Sequence, residues 1–307
     1  MPRKNKVSAC VSIIWRRWKT LAASGLLTCG MSSTAHAINI DYGDMISQPL
    51  GTNLAVGYYD YTKSNEANLV GSGTLNRGTS LETNLGLARF IHYTSVLGIE
   101  IDPQIIVPFG SITNAKLGNE RLNSTFGVSD PFAAMGIWLV NQPSKERYVV
   151  VIPYLWFPAG SYNRDQTNNL GGMRWKGAAQ LGLVQGFGNK IWLQLTMDNT
   201  WYGDNSEAGD GHQVLSEEPT QEIEPWIWYD FTPTISAGLG YSQILGGKER
   251  LDGIANGLKT EESTVRFEYT QWITPTFQMQ TSLSRDLHVV GGFKQDVAFQ
   301  LRLCKVF

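Results

Sequence analysis

Residues 97–109 read Leu97-Gly98-Ile99-Glu100-Ile101-Asp102-Pro103-Gln104-Ile105-Ile106-Val107-Pro108-Phe109. Leu97, Ile99, Ile101, Ile105, Val107 and Phe109 fall on one face, with Pro103 as the exception; Gly98, Glu100, Asp102 and Gln104 fall on the other. A period of two is the signature of an extended strand whose two faces meet different surroundings. The same alternation recurs down the chain. Trp175, Gly177, Ala179, Leu181 and Leu183 oppose Arg174, Lys176, Ala178 and Gln180. Ile191, Leu193, Leu195 and Met197 oppose Gln194, Thr196 and Asp198, and Val265, Phe267 and Tyr269 oppose Arg266, Glu268 and Thr270. Helical periodicity is almost absent.

The strands are joined by connections of alternating length. Short ones are expected near 92–96, 141–147, 188–189, 230–233 and 273–275, and long polar ones near 62–78, 110–125, 158–172, 203–213, 246–260 and 287–292. This pattern predicts about twelve strands, an even number as in bacterial outer-membrane barrels. Phe231-Thr232-Pro233-Thr234-Ile235 is echoed by Ile273-Thr274-Pro275-Thr276-Phe277, both at short turns. The aromatics sort into two sets. Tyr93, Trp138, Tyr148, Trp192, Trp226, Trp228, Tyr229 and Trp272 lie near short turns; Tyr58, Tyr61, Tyr154, Trp156, Tyr162, Trp175, Trp201 and Tyr202 lie near long loops. Two interfacial belts are the expectation.

The chain ends Phe299-Gln300-Leu301-Arg302-Leu303-Cys304-Lys305-Val306-Phe307, an amphipathic strand closing on an aromatic residue. That ending resembles the signal by which outer-membrane barrels are handed to their assembly machinery, with Phe307 as its key residue. The amino terminus carries Arg3, Lys4, Lys6, Arg16, Arg17 and Lys19 without an acid, then a short apolar run over 21–31 and Ala35-His36-Ala37. This is the pattern of a secretory signal peptide cleaved after Ala37. Thr28 fits poorly before Cys29, which argues against lipidation there. The expected domains are a leader over 1–37, a short periplasmic lead over 38–50 and a barrel over 51–307. Removing the leader takes six basic residues away and shifts the formal charge from −2 to −8. An acidic exported protein disfavours a nucleic-acid partner. Only Cys304 remains beyond the leader, so no internal disulfide can form.

The whole chain is 42% hydrophobic and 17% charged, with mean hydropathy −0.18. Those averages resemble a soluble globule only because two opposite faces are summed. The fold class expected is all-β, an antiparallel transmembrane outer-membrane β-barrel. Glu100, Asp102, Gln104, Arg174, Lys176, Gln180, Asp198, Glu222, Glu224, Arg266, Glu268 and Arg302 are then the candidate lumen-lining residues. Such a lining either filters a solute or plugs the barrel with ion pairs.

Gly127-Val128-Ser129-Asp130-Pro131, Ile152-Pro153-Tyr154, Pro158-Ala159-Gly160-Ser161-Tyr162, Asn169-Leu170-Gly171 and Thr200-Trp201-Tyr202-Gly203-Asp204-Asn205 together resemble a known family. It is the outer-membrane transporter family named for the meta-pathway of phenol degradation. Ala159 stands where Thr is expected. The resemblance implies a narrow channel for a small aromatic or hydrophobic solute.

Two other classes compete. A lipid-hydrolysing barrel would need a nucleophile, and only His92, His212 and His288 remain after the leader, with no Gly-x-Ser-x-Gly elbow. A closed structural barrel is the other. Asp204, Glu207 and Asp210 lack the spacing of a calcium loop. No cofactor, catalytic residue or metal is expected. The expected partners are outer-membrane lipid, the barrel-assembly machinery and a small-molecule solute.

Overall fold

The computed structural model describes residues 40–188, 190–209 and 211–307. The leader, its cleavage after Ala37, Cys29, Asn189 of one short turn and Asp210 of the acidic loop lie outside the described residues.

Twelve long strands form the molecule: β1 Asn53–Leu69, β2 Ser80–His92, β3 Ile99–Leu117, β4 Phe132–Gln142, β5 Arg147–Trp156, β6 Lys176–Phe187, β7 Ile191–Tyr202, β8 Thr220–Thr232, β9 Ile235–Gly246, β10 Thr260–Thr274, β11 Phe277–Val290 and β12 Gly292–Val306. Each pairs antiparallel with its sequence neighbours, and β1 pairs with β12 as well as β2, from Leu54↔Val306 upward. The sheet is therefore closed. Closure leaves no unpaired edge, the condition for strands to stand in a bilayer.

Alternation sorts the side chains as the stretch around Ile99 predicts. Ile99, Ile105 and Phe109 are 45–47% exposed on the outside, whereas Asp102, Gln104 and Ile106 are buried. The short turns also behave alike. Thr234 N donates to Thr232 Oγ1, and Thr276 N donates to Thr274 Oγ1. The Thr-Pro-Thr echo is thus one local turn used twice.

Three expectations change. First, β1 runs to Leu69 and β3 to Leu117, well into segments 62–78 and 110–125 that read as loops. Strands that project past the bilayer meet water outside, so their polar composition does not end the ladder. Second, the segment 287–292 is no long loop: β11 runs to Val290 and β12 starts at Gly292, the two parting beyond Ser284↔Ala298 to pair with β10 and β1. Gly291 has φ +99°, and a Cβ there would stand 2.0 Å from Lys259 O, so only glycine fits. Third, the aromatics near the short turns mostly do not form an outward belt, although Tyr229 does face outward. Tyr93, Trp138, Tyr148, Trp226 and Trp228 are buried inside the barrel, and so are Tyr154 and Trp156 towards the other end. Trp175 and Trp201 do face outward, 53% and 47% exposed. Position along the strand was legible; the face was decided by what fills the interior.

Two short pairs, Asn205–Ala208 with Gln213–Glu217 and Glu249–Leu251 with Ile254–Ala255, join into a small four-stranded sheet beyond the long-loop end.

Candidate functional site

The interior is built around the residues before β1. Ile40, Asp41, Tyr42 and Met45 are all buried, so the stretch from Ile40 to Met45 of the segment expected as a periplasmic lead lies inside the barrel, while Pro49 and Leu50 are exposed. Its backbone is irregular and needs partners from the wall. Trp226 Nε1 donates to Ile40 O and Trp138 Nε1 to Met45 O, both at 3.1 Å. Ile40 N donates to Glu224 Oε2 at 3.4 Å, Tyr42 N to Glu268 Oε2 at 3.3 Å and Gly43 N to Gln194 Oε1 at 3.1 Å. The inward tryptophans thus act as hydrogen-bond donors as well as packing surface. Tyr42 lies 5.2 Å from Trp228 and 5.8 Å from Trp226, and Trp228 stacks on Trp192. Met45 packs onto Gly182, where a Cβ would come within 2.6 Å of its sulfur.

Charge fastens the segment. Arg302 reaches Asp41 at 3.2 Å and Asp44 at 2.9 Å, and Arg89 reaches Asp44 at 2.9 Å. Arg89 also donates to Gln104 and to Tyr58. Arg266 lies 3.4 Å from Glu224 and 3.5 Å from Glu268, the two acids that hold the segment's amides. Gln280 bridges this set by donating to Glu268 and accepting from Arg302.

The sequence candidates divide among three levels. At the short-turn end, half-buried Glu100 accepts from Ser47 Oγ and from Asn141, and buried Asp102 accepts from Gln104. At the middle level Gln104, Glu224, Arg266, Glu268 and Arg302 form the septum with the amino-terminal segment. Nearer the long loops, Gln180 accepts from Tyr154 Oη and donates to half-buried Asp198, beside buried Glu222. Lys176 stands 5.3 Å over the Trp156 ring. Arg174 pairs with Glu217 of the loop sheet and lies 4.9 Å over Tyr202. Burial holds the Glu217 carboxyl above its ordinary value, and Arg174 offsets only part of that rise. Phe307 sits at the barrel seam, 62% exposed, its N–H donating to Asn53 O.

Sequence reasoning missed Arg89, Asp41 and Asp44. An arginine between Ala88 and Phe90 in an apolar strand was the available signal for the first. The acids gave none, because nothing in the order of residues pairs Asp41 and Asp44 with arginines of distant strands.

The septum separates two spaces. On its short-turn side lies a cavity of about 690 Å³, lined among others by Tyr42, Asp44, Tyr93, Trp192 and Trp228. On its long-loop side lies one of about 340 Å³, with Phe132, Tyr154 and Trp156 on one wall and Asp60, Glu262 and Asp286 on another. Arg89 borders both spaces.

Above the smaller cavity the long loops make a cap. Leu170 is buried with Ala67, Leu81, Ile112, Leu122 and Phe293. Its loop is pinned by Asp130, whose two oxygens accept from Gly160 N at 2.9 Å and Gly172 N at 2.8 Å. Ser129 Oγ donates to Leu170 O. Several of the motifs that carry the family resemblance therefore build the cap. The three histidines stand apart: His92 contacts Asn53, His212 contacts Glu207 and Arg164, and His288 faces Glu261.

The family model described as "Putative MetA-pathway of phenol degradation" matches residues 62–303. A solved outer membrane channel from Pseudomonas putida F1 superposes with a TM-score of 0.82 at 28% identity, covering 88% of this chain and 100% of its own. The beta domain of the Bordetella autotransporter Brka superposes with a TM-score of 0.50 at 8% identity, covering 84% of this chain and 100% of its own, a likeness of fold alone. No curated protein matches the chain.

Proposed function

Because the chain belongs to the family described as "Putative MetA-pathway of phenol degradation", we propose that it is an outer-membrane channel for a small aromatic or hydrophobic solute. The observation that carries the reading is the layered interior. A cavity of about 340 Å³ with an aromatic wall lies under a loop cap, and a septum divides it from a space of about 690 Å³ at the short-turn end. Long loops face outward in such barrels, so the order from outside is cap, binding cavity, septum, vestibule. The likeness to an outer membrane channel supports transport over catalysis. The twelve candidate lining residues then act by position and charge. Five of them, Gln104, Glu224, Arg266, Glu268 and Arg302, hold the septum; Gln180, Asp198 and Glu222 shape the wall above it.

Flux through proteoliposomes tests this. Benzyl alcohol should cross faster than a sugar of similar size, and phospholipid added as substrate should stay intact. Absence of flux together with phospholipid hydrolysis would hand the protein to the lipid-hydrolase class. The assembly role we assign to Phe307 has its own test. Deleting it should lower the heat-modifiable, membrane-inserted fraction, and an unchanged fraction would remove that role.

A further inference from the structure

Among the described residues, Arg89 alone lines both the space of about 340 Å³ and the space of about 690 Å³. It stands in β2, where every second side chain points inward. Towards the long loops Leu85 and Leu87 precede it and line the smaller cavity, with Ile106 of β3 beside them. Towards the short turns Ile91 and then Tyr93, just past the strand's end, line the larger one. An apolar track therefore follows one wall from the cap to the vestibule, and a single guanidinium interrupts it.

The amino-terminal segment leaves this wall the least bound. Its backbone is tied to other strands: Ile40 to Trp226 and Glu224 of β8, Tyr42 to Glu268 of β10, Gly43 to Gln194 of β7 and Met45 to Trp138 of β4. Among the described residues, no backbone atom of 40–46 is hydrogen-bonded to β1, β2 or β3. Side chains make the links there, Asp44 with Arg89 and, nearer the short turns, Ser47 with Glu100. The Arg89 link is also the one that can release. Asp44 is held at 2.9 Å by Arg302 as well as by Arg89, so it keeps a cation when Arg89 moves. Asp41 has Arg302 as its one ion pair among the described residues. Arg302 is then the fixed clasp and Arg89 the movable bar. Arg89 Nε donates to Gln104 and Nη1 to Asp44 and Tyr58, while Nη2 has no hydrogen-bond partner among the described residues.

Resting on the channel reading above, we infer that solute crosses the septum along the inner face of β2, past Arg89, and that Arg89 sets specificity by taking an aromatic ring against its guanidinium. A guanidinium is planar, stacks on ring faces and is more weakly hydrated than an ammonium. A cation over a ring is attracted by the ring's quadrupole. A saturated ring of similar shape gains neither contact. An apolar side chain at position 89 would pass both kinds of ring alike, whereas the cation favours the arene.

The test uses the full chain in proteoliposomes and compares the flux of benzyl alcohol with that of cyclohexylmethanol, after subtracting the rate in protein-free liposomes. The aromatic alcohol should cross about fivefold faster, the order that a cation–π contact at an accessible site supplies. Arg89→Gln and, separately, Arg89→Leu should bring the ratio close to one, each checked for folding by heat-modifiability. Ion conductance of both variants should stay as in the native protein, because Arg302 still holds Asp44. Where Arg89→Leu does not fold, Arg89→Gln decides. A native ratio near one, or a ratio unchanged in a folded variant, overturns the inference while leaving the channel reading intact. A ratio that falls only together with a rise in conductance would show that the septum has come loose, and also overturns it. Flux of neither alcohol through the native protein would instead bring down the channel reading itself.

Discussion

The barrel is closed twice, and the two closures are made of different materials. The cap at the long-loop end is apolar packing around Leu170, held by backbone amides of Gly160 and Gly172 on Asp130. The septum is a charged clasp, with Arg89 and Arg302 on Asp41 and Asp44 and with Arg266 on Glu224 and Glu268. Apolar packing yields gradually when an atom is removed. A buried ion pair fails abruptly when one partner goes, because the other charge is left behind. The septum is therefore the closure that a single charge change can open.

The largest effect should come from Arg302→Ala. Arg302 is buried and serves both Asp41 and Asp44. Its removal leaves Asp41 without its ion pair and Asp44 with Arg89 alone, and stability should fall by about 3–5 kcal/mol. Thermal unfolding of the detergent-solubilised protein measures that loss. Single-channel recording should show a larger conductance, because the segment is no longer clasped. An unchanged conductance would mean that the hydrogen bonds from Trp138 and Trp226 hold the segment without charge, and the contrast between the closures would collapse.

Leu170→Ala probes the other closure. Losing a buried leucine costs about 2–5 kcal/mol in a fully packed core, and a loop that can settle should stay near the lower end. Exchange of amide hydrogens in residues 158–172 should quicken, while conductance at the septum stays as it was. A conductance rise equal to that of Arg302→Ala would show that the cap, not the septum, limits passage.

The two closures also differ in how far the sequence announces them. The barrel is legible because alternation is local. Ile99, Ile105 and Phe109 against Asp102 and Gln104 state the two faces without help from anything distant. The cap is half legible. Asp130, Gly160 and Asn169-Leu170-Gly171 stand out as motifs, yet their purpose emerges only when Asp130 is seen gathering two amides. The septum is barely legible at all. Arg302 and Glu224 read as lining residues, but Asp41 and Asp44, which Arg302 pairs with, and the Ile40 amide, which Glu224 accepts from, lie across the molecule in a stretch that reads as a tail. The inward Trp138 and Trp226 misled for the same reason. A tryptophan near a strand end looks interfacial until one knows that a backbone carbonyl waits inside for its N–H. Register errors at 62–78, 110–125 and 287–292 have a separate cause, since a strand projecting beyond lipid loses its apolar face but keeps its ladder.

The smallest effect sharpens the distinction by removing burial while keeping charge. Arg250 and Glu218 pair at 2.9 Å beside the outer loop sheet, their side chains 50% and 44% exposed. Exposed pairs are worth about 0–1 kcal/mol because water and salt already satisfy both ions. Arg250→Ala should therefore shift the unfolding midpoint within that range, leave conductance unaltered and lose what little effect it has as salt is raised. Arg302→Ala should keep most of its effect in high salt, since a buried pair is screened far less. If the two variants instead faded together with salt, water would reach Arg302 in the working protein. The charged clasp would then be a wet contact, no stronger than the loop pair it resembles in distance.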